Sequence, residues 1–458
     1  MREPRSIAET SGARARAPIV GAPTKFVGAP TILSRARRAL VAGALALAGV
    51  AWGRHAGADL APPWGDMMLA PGTQSARVLL ADQPILSGPW GSAPRRGSAA
   101  RDVHLPIFAA KHGPGCKGSW LEVGPLAWVC EDAVEPSSAA PIEAGRNILP
   151  SSADGLPYRY FFVGPEGSST YKQLEFVELG EPQMVLQPGF AVAITAERTV
   201  DGARYGRTAH DLWVPMRDLG AVRSFAFQGE SIKDTPGSRI PIAWIVSDRA
   251  RVFAKPTTAA PTSASKARFE AVPVLDEVES FGGRFLRIGD GAFIAAKDAR
   301  HPKLSEPPPE VDAATGERWI DVDLETQTLV AYEGKRPVFA TIVSTGKGKP
   351  GTPLGTPKGT HRIWIKLLTS DMDNLEDENA ARYYRMEDVP WVQYFSKGVG
   401  LHGAFWHRSF GFVRSHGCVN LAPLDAQRLF FWTGPHVPAG WTAAFPTAHE
   451  RGTVIRVR

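Results

Sequence analysis

Cysteine is scarce in this chain, with three in 458 residues. Three thiols build neither a disulfide-dense scaffold nor a four-cysteine zinc site. Long apolar runs are scarce as well. The run at 39–52 has fourteen residues, short of the roughly 20 that a membrane-spanning helix needs. Charge is modest, 21% of residues against 43% hydrophobic. That balance excludes a disordered polyelectrolyte and a multispan membrane protein. Turn formers are what the chain has in abundance, with 46 Gly and 39 Pro. The length suggests two to four domains.

The net charge of +6 hints at nucleic acid until the charges are located. Residues 1–58 hold nine basic side chains, Arg35, Arg37 and Arg38 among them, and two acids, Glu3 and Glu9. That segment carries +7, so the other residues carry about −1. No nucleic-acid partner is expected. The three arginines precede the short apolar run, and Ala56-Gly57-Ala58 follows with a small-x-small pattern. Together these predict a secretory signal over 1–58, export to the periplasm or cell envelope, and only transient contact with the membrane. A short buried helix or an uncleaved anchor is the alternative.

Residues 59–100 are rich in Pro, Gly, Ala and Ser and read as a linker, with one strand near 76–80. Beyond them, short apolar runs cut by Gly and Pro signal β structure. Three β-rich blocks are expected, at 101–135, 156–220 and 245–300. A weak repeat closes each of them. Leu-Ala-Trp-Val-Cys-Glu-Asp at 126–132, Leu-Trp-Val-Pro-Met-Arg-Asp at 212–218 and Gly-Ala-Phe-Ile-Ala-Ala-Lys-Asp at 291–298 share an aromatic, a β-branched residue and a later Asp. These blocks resemble bacterial Src-homology-3-type barrels, which implies wall-targeting modules; plain β-rich spacers are the other reading. Cys116 and Cys130 share the first block. In an oxidising compartment they are expected to pair, stabilising the fold by roughly 3 kcal/mol; two buried free thiols are the alternative. Cys418 is left over.

Residues 301–316 form a proline-rich linker, and the C-terminal domain is expected over 317–458. Strands are predicted at 319–324, 327–332, 338–344 and 361–367, with 371–385 as an acidic excursion over the sheet. The Gly/Pro/Lys stretch 346–359 lacks phosphate-loop spacing and reads as a turn.

The densest cluster follows. His402-Gly403 ends a strand, a loop covers 404–414, then Ser415-His416-Gly417-Cys418-Val419-Asn420 is followed by Ala422-Pro423-Leu424-Asp425, which opens a helix over 426–432. A thiol with a pKa near 8.5 becomes an efficient nucleophile beside a base. Two histidines flank Cys418, and Gly417 permits a sharp turn with N–H groups free for an oxyanion. On chemistry alone three readings stand: a catalytic thiol, a zinc site of His402, His416 and Cys418 with His407 in reserve, or plain structure.

The His-Gly, loop, Ser-His-Gly-Cys-Val-Asn pattern closely resembles the signature of the L,D-transpeptidase catalytic domain, also called YkuD. Thr356-Pro357-Lys358-Gly359 is similar to that family's Thr-Pro-x-Gly segment. The resemblance covers about a third of the chain. It implies a mainly β protein, with a C-terminal L,D-transpeptidase-type β-sandwich and a short helix after the catalytic cysteine, preceded by small β-barrel-like domains. It further implies Cys418 as nucleophile, His402 as general base and His416 in the pocket. Gly403, Ser415, Gly417 and Asn420 are implied around the substrate. The substrate class is a peptidoglycan stem peptide, with no metal or organic cofactor, on a monomer. Stem trimming by hydrolysis, and a wall-binding module with a degenerate catalytic domain, are the competing functions.

Overall fold

The fold comes from a computed structural model that describes residues 69–458, apart from 145–148, 150–151, 224, 236–238 and 376–382. The expected leader at 1–58 lies outside the described residues. The described chain is mainly β, and its longer α-helix is Pro423–Trp432. Pro423 sits at the first helical position, where its missing N–H costs nothing.

The weak sequence repeat has a structural meaning. Each copy folds as strand, single 3-10 turn, strand: Ala127–Cys130, Glu131–Ala133 and Val134–Ser137 in the first block; Trp213–Pro215, Met216–Asp218 and Leu219–Ala221 in the second; Ala292–Ala295, Ala296–Asp298 and Ala299–Arg300 in the third. A residue at positive φ opens each copy: Leu126 at 51°, Asp211 at 61° and Gly291 at 61°. The repeated Asp lies in the 3-10 turn each time. Asp132 also accepts the Lys117 and Gly118 amides at 2.9 and 3.1 Å, fixing the loop that carries Cys116.

Cys116 and Cys130 are disulfide-bonded, with Cα atoms 5.6 Å apart. Replacing both by serine should lower unfolding free energy by about 3 kcal/mol. Urea titration of the variant checks this, and an unchanged midpoint would count against any stabilising role.

Two strands, Gln83–Leu86 and Arg95–Ala99, fall inside the 59–100 stretch expected to be a linker. Glycine there serves close packing, not a turn. Arg95–Ala99 pairs antiparallel with Trp441–Ala444 of the C-terminal domain. A Cβ on Gly97 would stand 2.4 Å from both the Ala443 carbonyl oxygen and the Trp441 ring. The first block therefore starts at Ser75–Val78, which pairs with both His104–Pro106 and Val134–Ser137.

The C-terminal domain is built on two sheets. One runs Glu230–Ser231, Arg336–Ile342, Thr328–Glu333, Arg318–Asp323, Val454–Val457, Gly359–Arg362. Its first strand comes from the segment between the second and third blocks, so the sandwich extends beyond 317–458. The other sheet joins Trp441–Ala444, Ile365–Asp373, Arg385–Ser396, Val399–Gly403 and Val419–Leu421. Of residues 371–385, expected as an excursion, the first three and Arg385 end two long paired strands, Asp373 facing Arg385, and 376–382 lie outside the described residues. The expected strand 361–367 divides at Ile363-Trp364 between the two sheets.

One core runs through blocks and sandwich. Ala76, Ile85, Leu121 and Val129 of the first block share an apolar cluster with Ile320, Leu329, Leu421, Phe430 and Trp441. Trp244, on the strand Ile242–Ile245 that leads into the third block, packs with Trp319, Tyr332 and Phe410. The proline-rich 301–316 is a strap against the domain. The Ser305 amide donates to the Tyr332 hydroxyl (3.0 Å), and Arg456 and Arg362 donate to the Glu306 and Glu310 carbonyls (2.7 Å each).

Candidate active site

Val399–Gly403 and Val419–Leu421 pair in parallel, with Leu401 opposite Val419 and His402 opposite Asn420. Cys418 enters this ladder one residue before Val419. His402 and Asn420 stand opposite each other in the ladder, and Cys418 lies two residues before Asn420. The thiol is half-buried, and its contact to the Gly398 carbonyl is long, at 3.7 Å from Sγ.

His402 is buried, 2% exposed. Its Nδ1 donates to the Gly403 carbonyl at 3.3 Å. That bond fixes the tautomer, leaving Nε2 as the basic nitrogen. The Trp406 ring stacks on the imidazole, centroids 5.6 Å apart. Trp406 meets Phe405 edge-on, and Phe405 stacks at 4.0 Å on Tyr160 of the second block. The second block thus buttresses the ring of His402 through three aromatic contacts.

Burial sets both charges. It pushes the His402 pKa down to about 4 and the Cys418 thiol above its usual value, an effect that the nearby Gly400 amide offsets only in part. At neutral pH the pair is therefore imidazole and thiol, not imidazolium and thiolate. His402 remains an unprotonated base until pH falls to about 4, and free thiolate appears only in the alkaline range. Alkylation by iodoacetamide should climb steadily with pH above 7, while acylation by a substrate stays level between about pH 5 and 8. Stopped-flow rates across that range check this; an alkylation plateau at acidic pH would mark an ion pair and contradict it.

The turn before the thiol is clamped from both sides. Ser415 Oγ donates to the Cys418 carbonyl and accepts the Gly417 amide at 3.1 Å. Thr356 Oγ1 donates to the Gly417 carbonyl (2.7 Å) and accepts the Gly346 amide (2.9 Å). The Thr-Pro-x-Gly segment thereby ties the 346–359 loop to the turn that presents Cys418. Gly417 has φ of 128°, a conformation that L side chains rarely adopt. Its N–H, expected to face an oxyanion, is spent on Ser415. The amides of His416 and Cys418 have no partner among the described residues, which makes them the available donors.

His416 is exposed, stacked on Tyr384 with ring centroids 5.3 Å apart. Its Nε2 accepts from the Lys347 ammonium at 3.2 Å. Burial and that cation both lower its pKa. Asn420, implied near the substrate and the turn, is buried, and its amide lies 2.8 Å from His407 Nε2. His407 Nδ1 accepts the Ser409 amide at 3.0 Å, and burial pushes its pKa down to about 3. Gly403 is likewise buried, and a Cβ there would meet Pro390 at 3.2 Å. Among the described residues, His402, His416 and Cys418 do not form a group whose ligand atoms all lie within 4.8 Å of one another, and the Lys347 ammonium stands at His416 Nε2.

Several residues around the thiol carry no local signal. A Cys418 thiolate would raise the pKa values of Tyr384 and Tyr394, on top of burial, which puts both rings in its surroundings. Trp364 stacks on Tyr394 at 6.0 Å and stays exposed. Lys347, Tyr384, Tyr394 and Trp364 form an aromatic and cationic rim, assembled from three separate segments. Only tertiary structure brings them to Cys418.

Residues 317–455 match the family model of the L,D-transpeptidase catalytic domain, YkuD, and this part of the chain is a domain of that family. Among solved structures, the chain is similar to the catalytic domain of the E. faecium L,D-transpeptidase, at 23% identity over 31% of this chain and 98% of that one, TM-score 0.24. It is also similar to an L,D-transpeptidase from Mycobacterium smegmatis, at 17% identity over 58% of this chain and 99% of that one, TM-score 0.24. No curated protein matches the chain.

Proposed function

We propose that the chain is an exported L,D-transpeptidase that uses Cys418 to acylate itself on a peptidoglycan tetrapeptide stem and passes the acyl group to an amine, cross-linking the wall. The observation that carries this reading is the position of Cys418 at the entry of the strand that pairs with the one carrying His402, with Nδ1 of His402 tied to a carbonyl and Nε2 left as a base.

The steps follow from a neutral pair. His402 Nε2 takes the thiol proton as Sγ attacks the carbonyl carbon at the L-centre of the third stem residue. The oxyanion sits against the Cys418 and His416 amides. The C–N bond to the terminal D-Ala breaks, and His402 returns its proton to the departing amine. A thioester remains on Cys418. An acceptor amine then attacks it, its proton passing to His402, and the new amide leaves as the thiol is restored. Water in place of the amine gives a trimmed stem. Ser415, Thr356 and Gly417 shape the turn, while His416, Tyr384 and Lys347 border the open side of the thiol.

Incubating the enzyme with purified disaccharide-tetrapeptides should release D-Ala and yield cross-linked dimers by mass spectrometry. Iodoacetamide should abolish D-Ala release, and EDTA should leave it intact at a temperature where the chain is folded. The opposite pattern, loss with EDTA and survival under iodoacetamide, would refute the thiol mechanism.

A further inference from the structure

A second cluster of chemistry-bearing side chains lies at the joint between the second block and the sandwich. His210 comes from the turn between Ala203–Thr208 and Trp213–Pro215; Asp371 lies on Ile365–Asp373 and Asp388 on Arg385–Ser396. One ligand atom from each falls within 4.8 Å of the others. His210 Nε2 stands 3.1 Å from Asp371 Oδ1 and 3.4 Å from Asp388 Oδ2. A single ring N–H serves one carboxylate well, and charge-assisted N–H···O bonds run about 2.7–2.9 Å. The second contact is too long for that.

Asp371 Oδ1 also accepts the Asp388 amide at 3.0 Å, and the spare capacity lies on Asp388. Asp388 Oδ1 accepts the Thr369 hydroxyl at 2.8 Å, but its Oδ2 is buried with no hydrogen-bond partner. Glu387, with a side chain 2% exposed, also has a buried Oε2 without a partner. Arg385 Nη2 lies 3.3 Å from Asp371 Oδ2 and 3.6 Å from Glu387 Oε1, so Glu387 faces the cluster across the guanidinium. Glu387 Oε2 has no hydrogen bond and Asp388 Oδ2 has only the long contact to His210, and buried carboxylate oxygens held so poorly are costly. The spacing suits a cation. In a tetrahedral zinc site with bonds of about 2.0–2.1 Å, ligand atoms stand about 3.3 Å apart, and the two observed separations bracket that value.

We propose that His210, Asp371 and Asp388 form a binding site for a divalent transition-metal cation, Zn2+ in the first instance, that pins the second block to the catalytic sandwich. The site is structural and separate from the thiol. Imidazole and carboxylate donors suit zinc, and three protein ligands leave a fourth position for water. Without a cation the imidazole carries a proton, its pKa raised to about 9 chiefly by the hydrogen bond to Asp371. The metal takes the place of that proton, which is released to solvent. The joint also holds Tyr160, whose hydroxyl donates to the Asp388 carbonyl at 2.6 Å and whose ring backs Phe405.

The test uses the full chain carrying Cys418→Ala, which removes the free thiol as a competing ligand. After EDTA treatment and dialysis it is titrated calorimetrically with ZnCl2, and its melting midpoint is followed in parallel. One equivalent should bind, and the midpoint should rise as zinc exceeds its Kd. His210→Ala and the near-isosteric Asp388→Asn should each weaken binding more than about tenfold. His210 is 41% exposed, so its removal is compatible with folding. Absence of both heat and midpoint shift at about 0.1 mM ZnCl2 (roughly the weakest binding worth calling a site) would overturn the proposal. Undiminished affinity in both variants would do so equally.

Discussion

Replacing Cys418 by alanine should abolish D-Ala release, with a loss of roughly 10^4-fold or more and no change in fold. Nucleophile removal in enzymes of this kind costs that much because no other group forms the covalent intermediate. The surroundings of the thiol explain why the fold survives. Its contact to the Gly398 carbonyl is weak at 3.7 Å, and the turn around it is held by Ser415 and Thr356. Residual turnover in the variant would have to come from Ser415, whose hydroxyl is already committed to the Cys418 carbonyl and the Gly417 amide.

Replacing His402 by glutamine should lower the acylation rate by about 10^2–10^4-fold. Glutamine fills similar space and can still donate to the Gly403 carbonyl, but it accepts no proton at neutral pH. The loss should fall on the acylation step, measured as the single-turnover rate with a carbapenem. Because burial leaves the thiol protonated at neutral pH, raising pH toward the alkaline range should recover part of the variant's rate by supplying thiolate. Stability should change little. A variant that acylates at the wild-type rate would remove His402 from the chemistry.

The two substitutions probe the part of the site that is written in contiguous sequence. His402-Gly403 and Ser415 through Asn420 each occupy one short segment, so spacing alone exposes them. Their individual duties are less legible. Spacing suggests that Gly417 offers its N–H, yet Ser415 consumes that donor, a contact no spacing can show. Asn420 is buried with its side chain on His407, a partner that spacing does not reveal. His407, between Trp406 and Arg408, reads as part of a mobile loop. That loop is tied down, the Gly411 amide donating to the Val343 carbonyl and the Ser344 hydroxyl to the Ser409 and Phe412 carbonyls.

The fold shows the same division. The repeat of aromatic, β-branched residue and Asp is visible because the closing strand, 3-10 turn and strand are local. Arg95–Ala99 is hidden because its partner Trp441–Ala444 lies at the far end of the chain, and the glycine that permits their approach reads as a turn former. Tyr160 and the rings it supports have no sequence signature either. Their effect on His402 exists only once the second block docks.

The most direct test of the thiol mechanism is mass spectrometry of the intact protein after incubation with a tetrapeptide stem or a carbapenem, followed by proteolytic mapping. One adduct per chain is predicted, on the peptide containing Cys418, and none on the Cys418→Ala variant. An adduct mapped to Ser415 or elsewhere, or D-Ala release by the variant at the wild-type rate, would contradict the mechanism.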